Sequence, residues 1–127
     1  MHPGGFLLLE VLIAFLIATL ALGVIIAAST ASLRAAQIAA RYDEATVRAQ
    51  SRLAEAVNGG PLPPGDREGS DGGGYRWHVR VTVVPGETPR PPETLYAVTV
   101  WITWRDGAQT RDVRLDTEHI GPSVQAP

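Results

Sequence analysis

The sequence has no cysteine, so disulfide scaffolds, thiolate metal sites and cysteine nucleophiles are excluded together, and thiol chemistry does not define its compartment. It has no lysine either. All 11 basic residues are arginine, which removes Schiff-base chemistry and the phosphate-loop lysine. Set against 13 acidic residues, those arginines leave a formal net charge of -2, the wrong balance for a chain that holds nucleic acid. Aromatic residues are sparse at 6%, yet 45% of the 127 residues are hydrophobic. At this length the chain is one folded domain at most, and its apolar residues crowd at the N-terminal end.

From Val11 to Ala28 the run VLIAFLIATLALGVIIAA holds 18 residues with Thr19 as the only polar member, and no charge follows until Arg34. Counted from Phe6, the apolar stretch covers roughly 30–35 Å as a helix, which is one hydrocarbon core. A secretory signal peptide is the competing reading, because Ala28, Ser29, Thr30 and Ala31 offer small residues for cleavage. Its apolar region, however, would be only about 7–15 residues long. Inside the stretch stands Glu10, and a carboxylate there costs on the order of 2–3 kcal/mol even on lenient insertion scales. The positive end of the helix dipole offsets part of that cost. A cut between Gly5 and Phe6 would offset more: the new α-amine lies one helical turn from Glu10, and a neighbouring subunit's amine could reach it equally well.

The opening Gly5-Phe6-Leu7-Leu8-Leu9-Glu10, running straight into the apolar span, resembles the processing site of type IV pilins and of the pseudopilins of type II secretion. The resemblance implies a leader of residues 1–5, cut by a prepilin peptidase between Gly5 and Phe6, with methylation of the new Phe6 amine. It also implies that Glu10 of an incoming subunit pairs with the Phe6 amine of its neighbour during filament assembly. The leader Met1-His2-Pro3-Gly4-Gly5 departs from the family pattern in carrying no Lys or Arg, and Leu7 stands where Thr or Ser is common. Judged by Arg34 and Arg41 alone, the positive-inside rule would give the opposite orientation, and a start codon upstream of Met1 would supply the missing basic leader. Ala14 and Ala18, and likewise Thr19, Gly23 and Ala27, recur every four positions, a spacing that lets helices pack closely. Such residues are also ordinary membrane-helix composition.

Beyond Thr30 no Pro or Gly appears until Gly59, and strong helix formers predict one helix from Phe6 to Val57, roughly 78 Å by the helical rise. Half of it must project from a bilayer. Ala35, Ile38, Tyr42, Ala45, Ala49, Leu53 and Ala56 step by three or four along one face. Arg34, Arg41, Glu44, Arg48, Arg52 and Glu55 occupy the other, which is expected to face water. Asn58-Gly59-Gly60-Pro61 then ends the helix.

The remainder is small for a self-sufficient core, so the amphipathic half of the helix is expected to lend it an apolar surface. Residues 59–74 are expected to be a solvated loop, the acids Asp66, Glu68 and Asp71 being spaced unlike a calcium loop. Tyr75 to Val84 alternates, with Tyr75, Trp77, Val79, Val81 and Val83 on one face, and reads as a strand. Leu95 to Trp104 reads as a second, with Tyr96, Val98, Val100, Ile102 and Trp104 together. Asp106-Gly107 predicts a type I′ hairpin with Arg105 opposite Ala108, Val100 opposite Val113 and Val98 opposite Leu115. The result is a three-stranded antiparallel sheet. Trp101 falls on its less apolar face opposite Asp112, either a partner contact or a half-covered sheet residue.

His2, His78 and His119 each lack a partner at ligand spacing, Glu118 beside His119 excepted. Phosphate loops, nucleophile elbows and paired histidines are absent too, so no catalytic residue, metal site or cofactor is expected. The expected fold is α+β: a long N-terminal helix whose second half packs on a small antiparallel sheet. Its organisation is a leader at 1–5, a membrane-spanning and filament-packing helix at 6–29, a projecting amphipathic helix at 30–58 and a periplasmic β domain at 59–127. Within the pilin-like class the chain is most similar to the I type of minor pseudopilin. That resemblance implies a non-enzymatic, single-pass inner-membrane subunit of the pseudopilus tip, which assists export of folded proteins across the outer membrane. It implies as partners the J, K and H types, the major pseudopilin, the prepilin peptidase and inner-membrane lipid, with no nucleic acid. The alternatives are a minor type IV pilin and a bitopic inner-membrane protein whose periplasmic domain binds without polymerising.

Overall fold

Helix α1 runs without interruption from Pro3 to Asn58 in a computed structural model that describes residues 3–86 and 92–123. Met1 and His2 of the expected leader, and part of the Pro-rich connection that follows the second strand, lie outside the described residues. The helix begins three residues before Phe6, at Pro3, whose fixed φ suits a first helical position. Compact units divide the chain at Ala40: the helix up to that residue makes one, and Arg41–Pro127 makes the other.

In the first unit every described side chain except half-buried Ile38 is exposed, including Phe6, Leu8 and Phe15. Its most apolar window has a mean hydropathy of 2.9. A bare helix of this kind is not stable in water and needs lipid or other apolar helices around it.

The second unit is the last stretch of α1 on a four-stranded antiparallel sheet: β1 Gly65–Gly72, β2 Tyr75–Val83, β3 Glu93–Asp106 and β4 Gln109–Pro122, adjacent in chain order. The predicted apolar faces of β2 and β3 are the buried ones, with Val81, Tyr96, Val98, Val100, Ile102 and Trp104 at the centre. Val83, at the strand end, is exposed. From α1 come Ala45 and Ala49, one turn apart and fully buried, whose lack of bulk lets the helix approach the sheet. Tyr42 meets Trp104 edge to face at 4.9 Å between centroids, a favoured aromatic geometry. Leu62, between α1 and β1, closes the core.

The sheet differs from the sequence expectation in two respects. Residues 65–72, expected as loop, form β1 and pair with β2 through a Gly73-Gly74 turn whose φ values of +62° and +83° are those a type I′ turn demands. The β3–β4 register also sits two residues away from the predicted one: Val100 faces Leu115, Ile102 faces Val113 and Trp101 faces Arg114. Here the turn residues are Gly107 and Ala108, and only Gly107 has positive φ, at +62°. That is the glycine-first pattern of a type II′ turn, so Asp106 closes the strand instead of entering the turn.

The helical face expected to be wet is a third difference, because part of it is folded onto the sheet. The guanidinium of Arg52 lies 4.7 Å from the Trp77 ring, and Arg41 and Arg48 lie 4.6 and 4.5 Å from Tyr75. Under Trp77 sits Gly69, its partner across β1 and β2; a Cβ there would stand 2.9 Å from the indole. Gly69→Val is therefore expected to push Trp77 out of its stack with Arg52, costing about 1–3 kcal/mol. Tryptophan fluorescence and thermal melting would check it; an unchanged melt would remove the stack from the account.

Candidate functional site

The sequence-predicted processing and assembly residues all lie on α1. Gly5 is helical, Phe6 and Glu10 are exposed, and Glu10 has no hydrogen bond or ion pair among the described residues. Ala14, Ala18, Thr19, Gly23 and Ala27 are exposed as well, and nothing lies within 4 Å of a Cβ built on Gly23. The Thr19 hydroxyl donates to the Phe15 carbonyl at 2.7 Å, which satisfies its polarity within the helix. A second copy of that arrangement occurs at Thr30, which donates to Ile26 at 2.9 Å. From Phe6 to Ala28 the helix thus offers an apolar surface with one carboxylate, Glu10, that has no partner among the described residues.

Away from the helix, Trp101 is the centre of the sheet's outer face. The His78 ring stands against it edge to face at 5.1 Å, and Arg80 and Arg114 approach it at 5.4 and 5.5 Å. Asp66 accepts from Arg80 Nε at 2.8 Å and lies 3.1 Å from His78 Nε2, while Asp116 accepts from Arg114 at 2.8 Å and from the Thr99 hydroxyl at 2.7 Å. Hydrogen bonds from Arg80 and His78 hold the Asp66 carboxyl below the ordinary carboxylate range, and those from Arg114 and Thr99 do the same for Asp116. Each cation beside Trp101 is therefore itself held by an acid. The sequence placed Trp101 on this face but missed the surrounding groups, because Asp66 was assigned to a loop and Arg114 to the neighbouring register position. A half-buried tryptophan ringed by positioned arginines has the composition of an interaction centre.

The third cluster joins helix to sheet. Arg48 donates to Asp71 Oδ2 at 3.0 Å and to the Asp71 carbonyl at 2.6 Å, Arg52 bonds Asp71 Oδ1, and Arg48 also pairs with Glu44 at 2.9 Å. Its role is structural. Among the described residues no three His, Asp or Glu side chains converge to hold a metal ion.

Type II secretion system protein I of Xanthomonas campestris pv. campestris is 31% identical to this chain over 120 residues, covering 87% of this chain and 86% of that one. The chain belongs to the type II secretion system protein I family. Coverage of this extent reaches well past the opening motif into the sheet, so the likeness does not rest on the apolar helix alone. No family model matches the chain, and no solved structure does. In a type II secretion pseudopilin, the exposed apolar helix fits a single-pass membrane anchor.

Proposed function

We propose that this member of the type II secretion system protein I family is a minor pseudopilin of the pseudopilus tip, a non-enzymatic subunit cleaved between Gly5 and Phe6 and drawn into the filament through Glu10. The observation that carries the reading is Glu10: a carboxylate without a partner among the described residues, on an apolar helix, one turn from the residue whose amine cleavage would free. A carboxylate there is costly in lipid, and an intersubunit ion pair removes the cost only on assembly, which makes the pairing directional. Ala14, Ala18, Thr19, Gly23 and Ala27 then serve as positions of close helix contact. In this reading residues 6–29 cross the inner membrane, 30–58 project, and 59–127 lie in the periplasm. There the outer sheet face around Trp101 meets J, K or H type subunits, and the assembly assists export of folded proteins.

The test is the mature N-terminus, read by mass spectrometry after expression with and without a prepilin peptidase. The expected product is peptidase-dependent and begins at N-methylated Phe6. An intact Met1 would leave a plain anchor, and an end near Ala31 would mean a secreted protein. Glu10→Leu is expected to be cleaved as before yet to fail in co-isolation with the other tip subunits.

A further inference from the structure

A groove of about 240 Å³ opens between the last turns of α1 and the inner faces of β1 and β2, lined by Arg52, Glu55, Ala56, Arg67, Trp77 and Val79. It lies within the Arg41–Pro127 unit and on the helix side of the sheet, so strand alternation separates it from the Trp101 face. Its floor is apolar: Val79 is 6% exposed, Ala56 is half-buried, and the Trp77 indole is held between Gly69 beneath it and the Arg52 guanidinium at 4.7 Å. Its walls are cationic. Arg52 is committed to Asp71 and, at 3.4 Å, to the exposed Glu55. Arg67 is not committed: it stands directly across from Val79 on the same face, and it has no hydrogen bond or ion pair among the described residues. The C-terminal end of α1 lies beside it and carries about half a negative charge, which tolerates a cation there without occupying its five N–H donors.

We propose that this groove is a docking site for another polypeptide, one of whose glutamate side chains lies along Val79 and Ala56 and pairs with Arg67. Size and charge together select that occupant. Small-molecule sites take about 300–1,000 Å³, so this groove suits an anchoring side chain better than a free metabolite. The anchor needs an apolar stem to cover Ala56, Val79 and the indole edge, and a planar anionic head for the guanidinium fork, which grips a carboxylate through two parallel hydrogen bonds. Glutamate has both. A phosphate, free or on a lipid headgroup, would satisfy Arg67 but leave the apolar floor uncovered. Gly69, Trp77 and Arg52 shape the groove before any partner arrives, so docking leaves little to be ordered. A pre-shaped pocket filled by one anchor is the kind of place where binding energy concentrates in a protein interface.

The test replaces Glu55, on the exposed rim of the groove, with the photoreactive residue p-benzoylphenylalanine in the full-length chain, made in cells that carry the secretion system. Irradiation is expected to join the chain to another polypeptide, and mass spectrometry to locate the joint within a few residues of a glutamate. Arg67→Glu in the same chain is expected to lower the cross-linked yield about ten-fold by setting like charges together, and a Glu→Arg change in the joined segment to restore it. Arg67→Ala in the purified protein is expected to leave the Tm in detergent unchanged, because Arg67 holds no other described residue in place. No joint, a joint to phospholipid or to a second copy of this chain, a joined segment without glutamate, a yield indifferent to Arg67→Glu, or a Tm that falls with Arg67→Ala would overturn the proposal. The N-terminal peptide of the chain is read in the same spectra, so a failure of processing at Gly5 is seen separately.

Discussion

Trp104→Ala is expected to leave the Arg41–Pro127 unit without a fixed tertiary structure while the apolar helix before it persists in detergent. Trp104 is 2% exposed and is the largest fully buried side chain, edge to face with Tyr42 at 4.9 Å and 5.8 Å from the Tyr75 ring. It therefore ties the helix to two strands. Truncating a buried aromatic to alanine costs about 3–5 kcal/mol through lost transfer energy and the cavity left behind. A domain of this size has a total stability of only roughly 5–10 kcal/mol, so such a loss consumes most of it. Loss of near-ultraviolet dichroism with retained helical far-ultraviolet signal is the expected outcome. Trp104→Phe, which keeps an aromatic ring against Tyr42, is expected to hold the fold with a lower Tm. A cooperative melt for the alanine variant close to the parent's would mean that the core is anchored elsewhere.

The features readable in the sequence were those written in apolar periodicity. The inner faces of β2 and β3 and the Ala45 and Ala49 stripe follow from spacings of two or of three to four, and the buried set matches them, while the C-terminal end of α1 was marked by its Gly and Pro residues. The same periodicity explains the register error. A two-residue slip of β4 keeps every side chain on its own face, so pairing Val100 with Val113 or with Leu115 satisfies the apolar pattern equally, and only turn geometry separates them. β1 was illegible for a different reason. Gly65–Gly72 contains no apolar residue, so neither alternation nor strand propensity marks it. Its place comes from contacts made across the fold: Gly69 beneath Trp77, and Asp71 between Arg48 and Arg52. Helical arginines that look like a solvated face are indistinguishable in sequence from arginines that clamp a distant strand. The surroundings of Trp101 were lost with β1, since Asp66 reaches them from that strand.

Asp71→Asn is expected to release β1 and to remove part of the unit's acid sensitivity. The Asp71 side chain is 14% exposed, and although burial works to raise its pKa, the hydrogen bonds from Arg52 and Arg48 outweigh that and hold it below the ordinary carboxylate value. A carboxyl whose pKa is lower folded than unfolded stabilises the fold above its unfolded value, near 4. That contribution is lost as pH falls through the folded value. The groups facing Asp71 from the helix are Arg48 and Arg52, with Glu44 and Glu55 paired to them in turn. The asparagine variant keeps the shape but leaves two guanidiniums without their shared anion, and Arg48 Nε is already buried without a hydrogen-bond partner among the described residues. A cost of about 1–3 kcal/mol follows. The parent's Tm should therefore exceed the variant's by a constant margin above about pH 5, and the two should converge on acidification as the parent's own carboxylate is protonated. Exposed Asp66 and Asp116 also have lowered pKa values, but surface ion pairs contribute little, so an acid-sensitive limb of small size persists in both proteins. Faster hydrogen exchange at the β1 amides, with the β3 amides unchanged, would place the loss at the strand that Asp71 holds. A margin that fails to close at low pH would mean that Asp71 acts through shape and not charge.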